Sequence, residues 1–218
     1  MLSHACIKKI MIAVVIILVI AIAAWWWFKP GQSLPPQVNI NLSDQPTLGN
    51  AQAKVSIVAF EDLKCGNCKR FNTALLPSIK AKYITPGLAR YTVINLAFIP
   101  GSMPAANAAR CLYMQNKDFF FPFIDYVYEH QPDETIDWAT IPTLMTFASH
   151  IPGVDQDKLS QCIFDSRYTD FIKNNLTIAQ QAMTGDSVST PTVYVNGRVV
   201  VPLTMERFDE VYKAAQKD

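Results

Sequence analysis

Val55-Ser56-Ile57-Val58-Ala59-Phe60-Glu61-Asp62-Leu63-Lys64-Cys65-Gly66-Asn67-Cys68-Lys69-Arg70-Phe71 is the stretch on which the fold turns. Its first six residues form a short apolar run rich in β-formers, the pattern of a strand buried on both faces. The run leads straight into a Cys-x-x-Cys pair. Beyond it Phe71, Leu75 and Ile79 recur every four residues, the stripe of a helix packed on a sheet, and Pro77 should kink that helix. A cysteine pair between strand and helix sits where free backbone amides and the helix dipole stabilise a thiolate. That thiolate is expected on Cys65, with Cys68 one turn inside and shielded. Such a thiolate attacks a disulfide, and Cys68 resolves the mixed disulfide. The competing readings are a static disulfide and half of a zinc site. Zinc needs four ligands, however, and the chain offers no second Cys-x-x-Cys; His4, His130 and His150 all lie away from the motif.

Toward the N-terminus, Ile10 to Phe28 is an unbroken apolar run of 19 residues. As a helix it would measure about 28 Å, near the hydrocarbon thickness of a bilayer. Lys8 and Lys9 precede it and Trp25, Trp26 and Trp27 close it, which favours a signal anchor with a cytoplasmic N-terminus over 1–9. Cleavage after Ala21-Ile22-Ala23 is the alternative, and either reading carries the rest of the chain out of the cytoplasm. Residues 29–50, with Pro30, Gly31, Pro35, Pro36 and Pro46, read as a linker holding one short strand at Val38 to Asn41. The ordered domain is expected to span 51–218.

Toward the C-terminus, Tyr91 to Phe98 is the next strand candidate, and then the chain turns helical. Helices are expected over Ala105–Gln115, Phe119–Glu129, Ile141–Ser149, Asp155–Phe164 and about Tyr168–Met183. The last should bury Phe171, Ile172, Leu176, Ala179 and Met183. Strands return at Thr192–Val195 and Arg198–Val201 around Asn196-Gly197, a strong hairpin signal. A final helix from near Thr204 buries Phe208, Val211, Tyr212 and Ala215. The order is that of a small α/β sheet with a helical block, about 103–187, inserted in its middle.

Five cysteines are present, and Cys6 precedes the apolar run. The other four suggest two disulfides in an oxidising compartment, among three connectivities, and short spacing favours 65–68 with 111–162. The net charge of +1 and the lack of a basic run exclude the electrostatic footprint of a nucleic-acid binder. Met103, Met114 and Met183 are scattered and make no copper cluster, so no metal site is expected. Asn175-Leu176-Thr177 fits a glycosylation pattern but falls inside an expected helix.

The segment Phe60 to Phe71, the pair Leu76-Pro77, and Ser189-Thr190-Pro191-Thr192-Val193-Tyr194-Val195-Asn196-Gly197 together resemble the DsbA-like thioredoxin-fold family, over about Leu48 to the C-terminus. The resemblance implies a thioredoxin fold with a helical insertion and a cis Thr190–Pro191 bond beside the cysteines. It also implies a substrate chain laid along Thr190 and Pro191, and Cys111 and Cys162 at the positions of a second disulfide. The activity implied is thiol:disulfide exchange, without a cofactor, that forms, reduces or isomerises disulfides in secreted or envelope proteins. The implied partners are proteins bearing thiols or disulfides and a membrane redox partner that resets the active site. The implied location is a bacterial cytoplasmic or inner membrane, single-pass through 10–28, with the catalytic domain facing the periplasm or cell exterior. Lys64, Gly66 and Asn67 would be the active-site neighbours. Two departures stand out. The family's buried acid, six residues before the first cysteine, is Ala59 here, leaving water or Lys64 to assist, with Glu61 sharing the face of Ala59 and Asp62 opposite. The histidine that strongly oxidising members place between the cysteines is absent, which makes the pair less oxidising. A non-catalytic metal carrier or assembly factor is the alternative function.

Overall fold

The computed structural model describes residues 11, 12, 14–21, 34–183 and 187–217. The chain divides into two units, Met1–Leu34 and Pro35–Asp218. In the first, residues 11, 12 and 14–21 are helical and exposed. The remainder of the expected span over 10–28 lies outside the described residues, as does Cys6. Among the described residues no helix is long and apolar enough to cross a membrane.

The second unit begins with β1 (Thr47–Gly49) and β2 (Val55–Asp62). A long helix follows in four consecutive segments: α1 (Gly66–Arg70), a π-helical turn at Phe71–Leu75, α2 (Leu76–Ile79) and a second π-helical turn at Lys80–Ile84. Next come β3 (Ala89–Leu96), α3 (Met103–Gln115), a 3-10 turn at Lys117–Phe119, α4 (Phe120–His130) and α5 (Ile141–Ala148). The chain closes with α6 (Gln156–Phe164), α7 (Thr169–Ala182), β4 (Thr192–Val195), β5 (Arg198–Val199) and α8 (Met205–Ala215).

The sheet order is β1-β3-β2-β4-β5. β2 runs parallel to β3, from Val55 opposite Ala89 to Asp62 opposite Leu96, and antiparallel to β4 on its other side. All eight residues of β2 are buried, which is why Ile57–Phe60 is apolar at every position with no alternation. Successive side chains still point to opposite faces. Ile57 and Ala59 join the cluster containing Phe71, Ile79, Phe208 and Val211, whereas Val58 and Phe60 join Ile94, Leu96, Ile178 and Ala182. At Asn196 and Gly197 φ is 45° and 78°, the left-handed pair that a two-residue hairpin needs.

From Pro35 onward, the stretch expected as a linker is part of the second unit. No strand forms at Val38–Asn41; Gln37 makes one bridge to Arg198, and the Val38 amide donates to the Gly197 carbonyl at 2.9 Å. A Cβ on Gly197 would overlap the Val38 carbonyl, so glycine admits this strap. The strand forms later, where Thr47–Gly49 covers the free edge of β3. The regular helix is interrupted just before Pro77. The proline has no amide for the Thr73 carbonyl, and the preceding turn widens so that the Leu76 amide reaches back five residues to the Phe71 carbonyl. α7 is rotated from expectation: Ile172, Asn175, Ile178, Ala179, Ala182 and Met183 are buried, with Phe171 and Leu176 only half-buried. Asn175 can face the core because it accepts from Gln45 Nε2 at 2.6 Å and donates to the Asn95 carbonyl at 2.9 Å.

The helices α3–α7 form the inserted block between β3 and β4. Cys111 on α3 and Cys162 on α6 are joined by a disulfide across 51 residues of sequence. Closing a loop of that size stabilises a fold by about 2–4 kcal/mol.

Candidate active site

β2 ends on two adjacent carboxyls, Glu61 and Asp62, both fully buried. Strand alternation sends them to opposite sides. Asp62 Oδ1 accepts from the Lys64 amide at 2.9 Å. Its Oδ2 accepts from the amides of Phe98 and Ile99, each at 3.1 Å, and from the Ser102 hydroxyl at 2.9 Å. One carboxyl thus ties the turn into Cys65 to the loop between β3 and α3, and the Cys65 amide donates to the Asp62 carbonyl at 2.9 Å. Glu61 Oε1 accepts from the Tyr91 hydroxyl at 2.6 Å, and Oε2 accepts from Asn72 Nδ2 at 2.5 Å. The same Asn72 nitrogen donates to the Cys68 carbonyl at 3.0 Å, linking Glu61 to the turn that carries Cys68. Burial pushes the Glu61 carboxyl above its ordinary range.

Cys65 is the N-cap of α1, in extended conformation, and Cys68 lies one turn inside it. The two thiols are unlike. The Cys65 thiol is lowered to about 6, first by the hydrogen bond from the Cys68 side chain, then by Thr190 and by the amides of Cys68 and Asn67, against a burial that opposes it. Burial pushes the Cys68 thiol well up, and the charges of Cys65 and Glu61 push it further. Across the gap the cis Thr190–Pro191 bond precedes β4, and Cys65 Sγ lies 3.5 Å from the Thr190 carbonyl. Beside the bond opens a cavity of about 380 Å³ lined by Phe71, Leu75, Pro191 and Leu203 on its apolar side and by Asn67 and Arg70.

The remaining expected neighbours have these positions. Gly66 opens α1, and its amide donates to Glu134 Oε2 at 2.8 Å. Asn67 is exposed and accepts from Arg70. Lys64 is buried, and its ammonium donates to the Pro100 carbonyl at 2.9 Å, so it serves the loop after β3 where a positive charge beside Cys65 was expected. Gln131, from the loop between α4 and α5, donates to the carbonyls of Lys64 and Cys65, both at 3.4 Å, and its own carbonyl accepts from Lys69 at 3.0 Å. Asn72, Tyr91, Gln131 and Glu134 had no signal in the sequence, since each is an ordinary residue until the fold delivers it. Among the described residues no group of three or more His, Cys, Asp or Glu side chains could hold a metal ion.

A family model described as Thioredoxin matches residues 41–214. The chain is 31% identical over 178 residues to the probable disulfide bond formation protein D of Bacillus cereus, covering 81% of this chain and 79% of that relative. The crystal structure of oxidised BdbD from Bacillus subtilis superposes with a TM-score of 0.77 at 25% identity, covering 85% of this chain and all of that one. DsbA from Chlamydia trachomatis superposes with a TM-score of 0.72 at 29% identity, covering 84% and 96%.

The asymmetry between the thiols gives a direct expectation. In the reduced protein, alkylation of Cys65 by iodoacetamide rises with pH through a midpoint at about 6, while Cys68 stays unmodified below pH 9. Mass mapping of the alkylated peptide checks it; a midpoint near the ordinary thiol value, or equal labelling of both cysteines, contradicts it.

Proposed function

The chain belongs to the thioredoxin family and is a DsbA-like thiol:disulfide oxidoreductase, and from that premise we propose that it donates disulfides to thiol-bearing proteins outside the cytoplasm through Cys65 and Cys68. The observation that carries this direction is the low Cys65 thiol at the head of α1 above a buried, high Cys68 thiol. A sulfur that is stable as thiolate leaves readily, which favours reduction of the enzyme's disulfide and oxidation of the substrate. The relatives' printed role in disulfide bond formation supports the same direction.

In the first step a substrate thiolate attacks Cys65 Sγ of the Cys65–Cys68 disulfide, forming a mixed disulfide and expelling the Cys68 sulfur, which takes up a proton. In the second, another substrate thiolate attacks the substrate sulfur of the mixed disulfide. The substrate disulfide forms and Cys65 leaves as thiolate. Thr190 and Pro191 hold the extended substrate chain beside Cys65, with side chains entering the adjoining cavity. Glu61, two residues beyond Ala59 on the same strand face, takes the part of the missing acid. Burial raises its carboxyl above the ordinary range, Asn72 links it to the Cys68 turn, and it exchanges the Cys68 proton. A membrane redox partner reoxidises the reduced pair.

The apolar run over 10–28 is the anchor we propose, with the catalytic domain on the periplasmic or outer side of a bacterial membrane. The Lys8-Lys9 flank supports that orientation, and the Cys111–Cys162 disulfide suits an oxidising compartment. Nothing in the site favours the metal-carrier alternative.

Equilibrating the full chain with glutathione tests the function. A single couple is expected on the oxidising side of the glutathione pool and is lost in Cys65→Ser; no exchange, or a strongly reducing couple, would sink the donor reading. Glu61→Gln should leave that couple in place but slow exchange by on the order of a hundredfold near pH 7; an unchanged rate removes Glu61 from the proton path. The anchor is checked by an alkaline carbonate wash of membranes, which should leave the chain in the pellet; release into the wash contradicts an integral anchor.

A further inference from the structure

The loop between α4 and α5 belongs to the helical insertion, yet it reaches back onto the head of the cysteine-bearing helix. Gln131 holds it there by donating to the carbonyls of Lys64 and Cys65, and Lys69 holds the Gln131 carbonyl in turn. This clamp delivers Glu134, whose carboxylate accepts from the Gly66 amide at 2.8 Å. That amide is the first of α1 and immediately follows the Cys65 sulfur's own residue. A Cβ on Gly66 would lie 3.4 Å from the same carboxylate oxygen, an ordinary contact that places Glu134 against the helix head.

The surrounding cations are engaged elsewhere: Lys64 with the Pro100 carbonyl, Lys69 with Gln131 and Arg70 with Asn67. No ion pair neutralises Glu134 among the described residues. A negative charge therefore sits on the first amide of α1, one residue from Cys65, where it offsets the positive end of the helix that favours a thiolate.

We propose that Glu134 is a positioning residue that tunes the cysteine pair: by occupying the Gly66 amide and placing its charge beside Cys65, it disfavours the Cys65 thiolate and makes the enzyme a milder disulfide donor. This rests on reading Cys65 as the nucleophile. It assigns to the helical insertion a direct part in setting redox strength, and gives the Gly66-Asn67 active site a second restraint beside its lack of a histidine. Glu134 is solvent-exposed, so screening keeps the effect small, of the size of one charge at a helix N-terminus.

The test compares the full-length wild type with Glu134→Gln, which keeps the acceptor oxygen but removes the charge, and with Glu129→Gln as a control for charge at an exposed site nearby. The readouts are the glutathione equilibrium at pH 7 and the pH titration of thiolate absorbance at 240 nm. In Glu134→Gln the equilibrium constant for reduction of the enzyme by glutathione rises about threefold and the Cys65 midpoint falls by about half a unit. Both differences shrink in ~1 M salt, where screening is strong; a role confined to holding the loop would not show that dependence. Wild-type values in Glu134→Gln, or the same shift in Glu129→Gln, overturn the proposal while leaving Cys65 as nucleophile. A wild type that does not exchange with glutathione overturns both.

Discussion

Two carboxyl groups buried side by side at the end of the central strand are the constraint from which the active site is built. Leaving either one unpaired in the interior would cost several kcal/mol, a large part of a domain's net stability. Each is therefore surrounded by donors, and the donors are the architecture. Asp62 gathers the amides of Lys64, Phe98 and Ile99 and the Ser102 hydroxyl, fixing the turn that presents Cys65. Glu61 gathers Tyr91 from the neighbouring strand and Asn72 from the helix, and Asn72 ties it to the Cys68 carbonyl. Because the residues are consecutive, one strand end anchors both the turn that presents Cys65 and the turn that carries Cys68.

The two cysteines inherit opposite environments from this arrangement. Cys65 receives amides and the Cys68 thiol at the head of the helix, whereas Cys68 is fully buried. An asymmetric pair of this kind directs attack to the outer sulfur and leaves the inner one to resolve. The helical insertion supplies more than bulk. Its disulfide staples α3 to α6, and the loop between α4 and α5 reaches back to touch three consecutive residues, Lys64, Cys65 and Gly66. The cis-proline loop enters from the other end of the chain and completes the opposite wall.

Much of this was legible in the sequence where local pattern and fold agree. The buried run Val55–Phe60, the cysteines at the strand–helix junction, the Asn196-Gly197 hairpin and the Phe208, Val211, Tyr212 and Ala215 face all appear as read. The differences arise where one residue's pairing overrides its type. Asn175 is polar, and only the Gln45 and Asn95 contacts explain its place in the core of α7. Thr47–Gly49 is too short to announce a strand and becomes one because β3 has an open edge. Which of Glu61 and Asp62 is linked to the Cys68 turn depends on strand phase, and Glu134 reaches the site across 68 residues of sequence. No periodicity records contacts of that span.

The central claim is that Cys65 alone attacks and is attacked, with Cys68 held back by burial. Trapping tests it most directly. A Cys68→Ser chain is mixed with a peptide disulfide, the covalent adducts are digested, and the joined peptides are identified by mass. A stable mixed disulfide between the substrate and Cys65 is expected, absent from Cys65→Ser. Adducts that form as readily on Cys68 in Cys65→Ser, or no adduct in either variant, would contradict it.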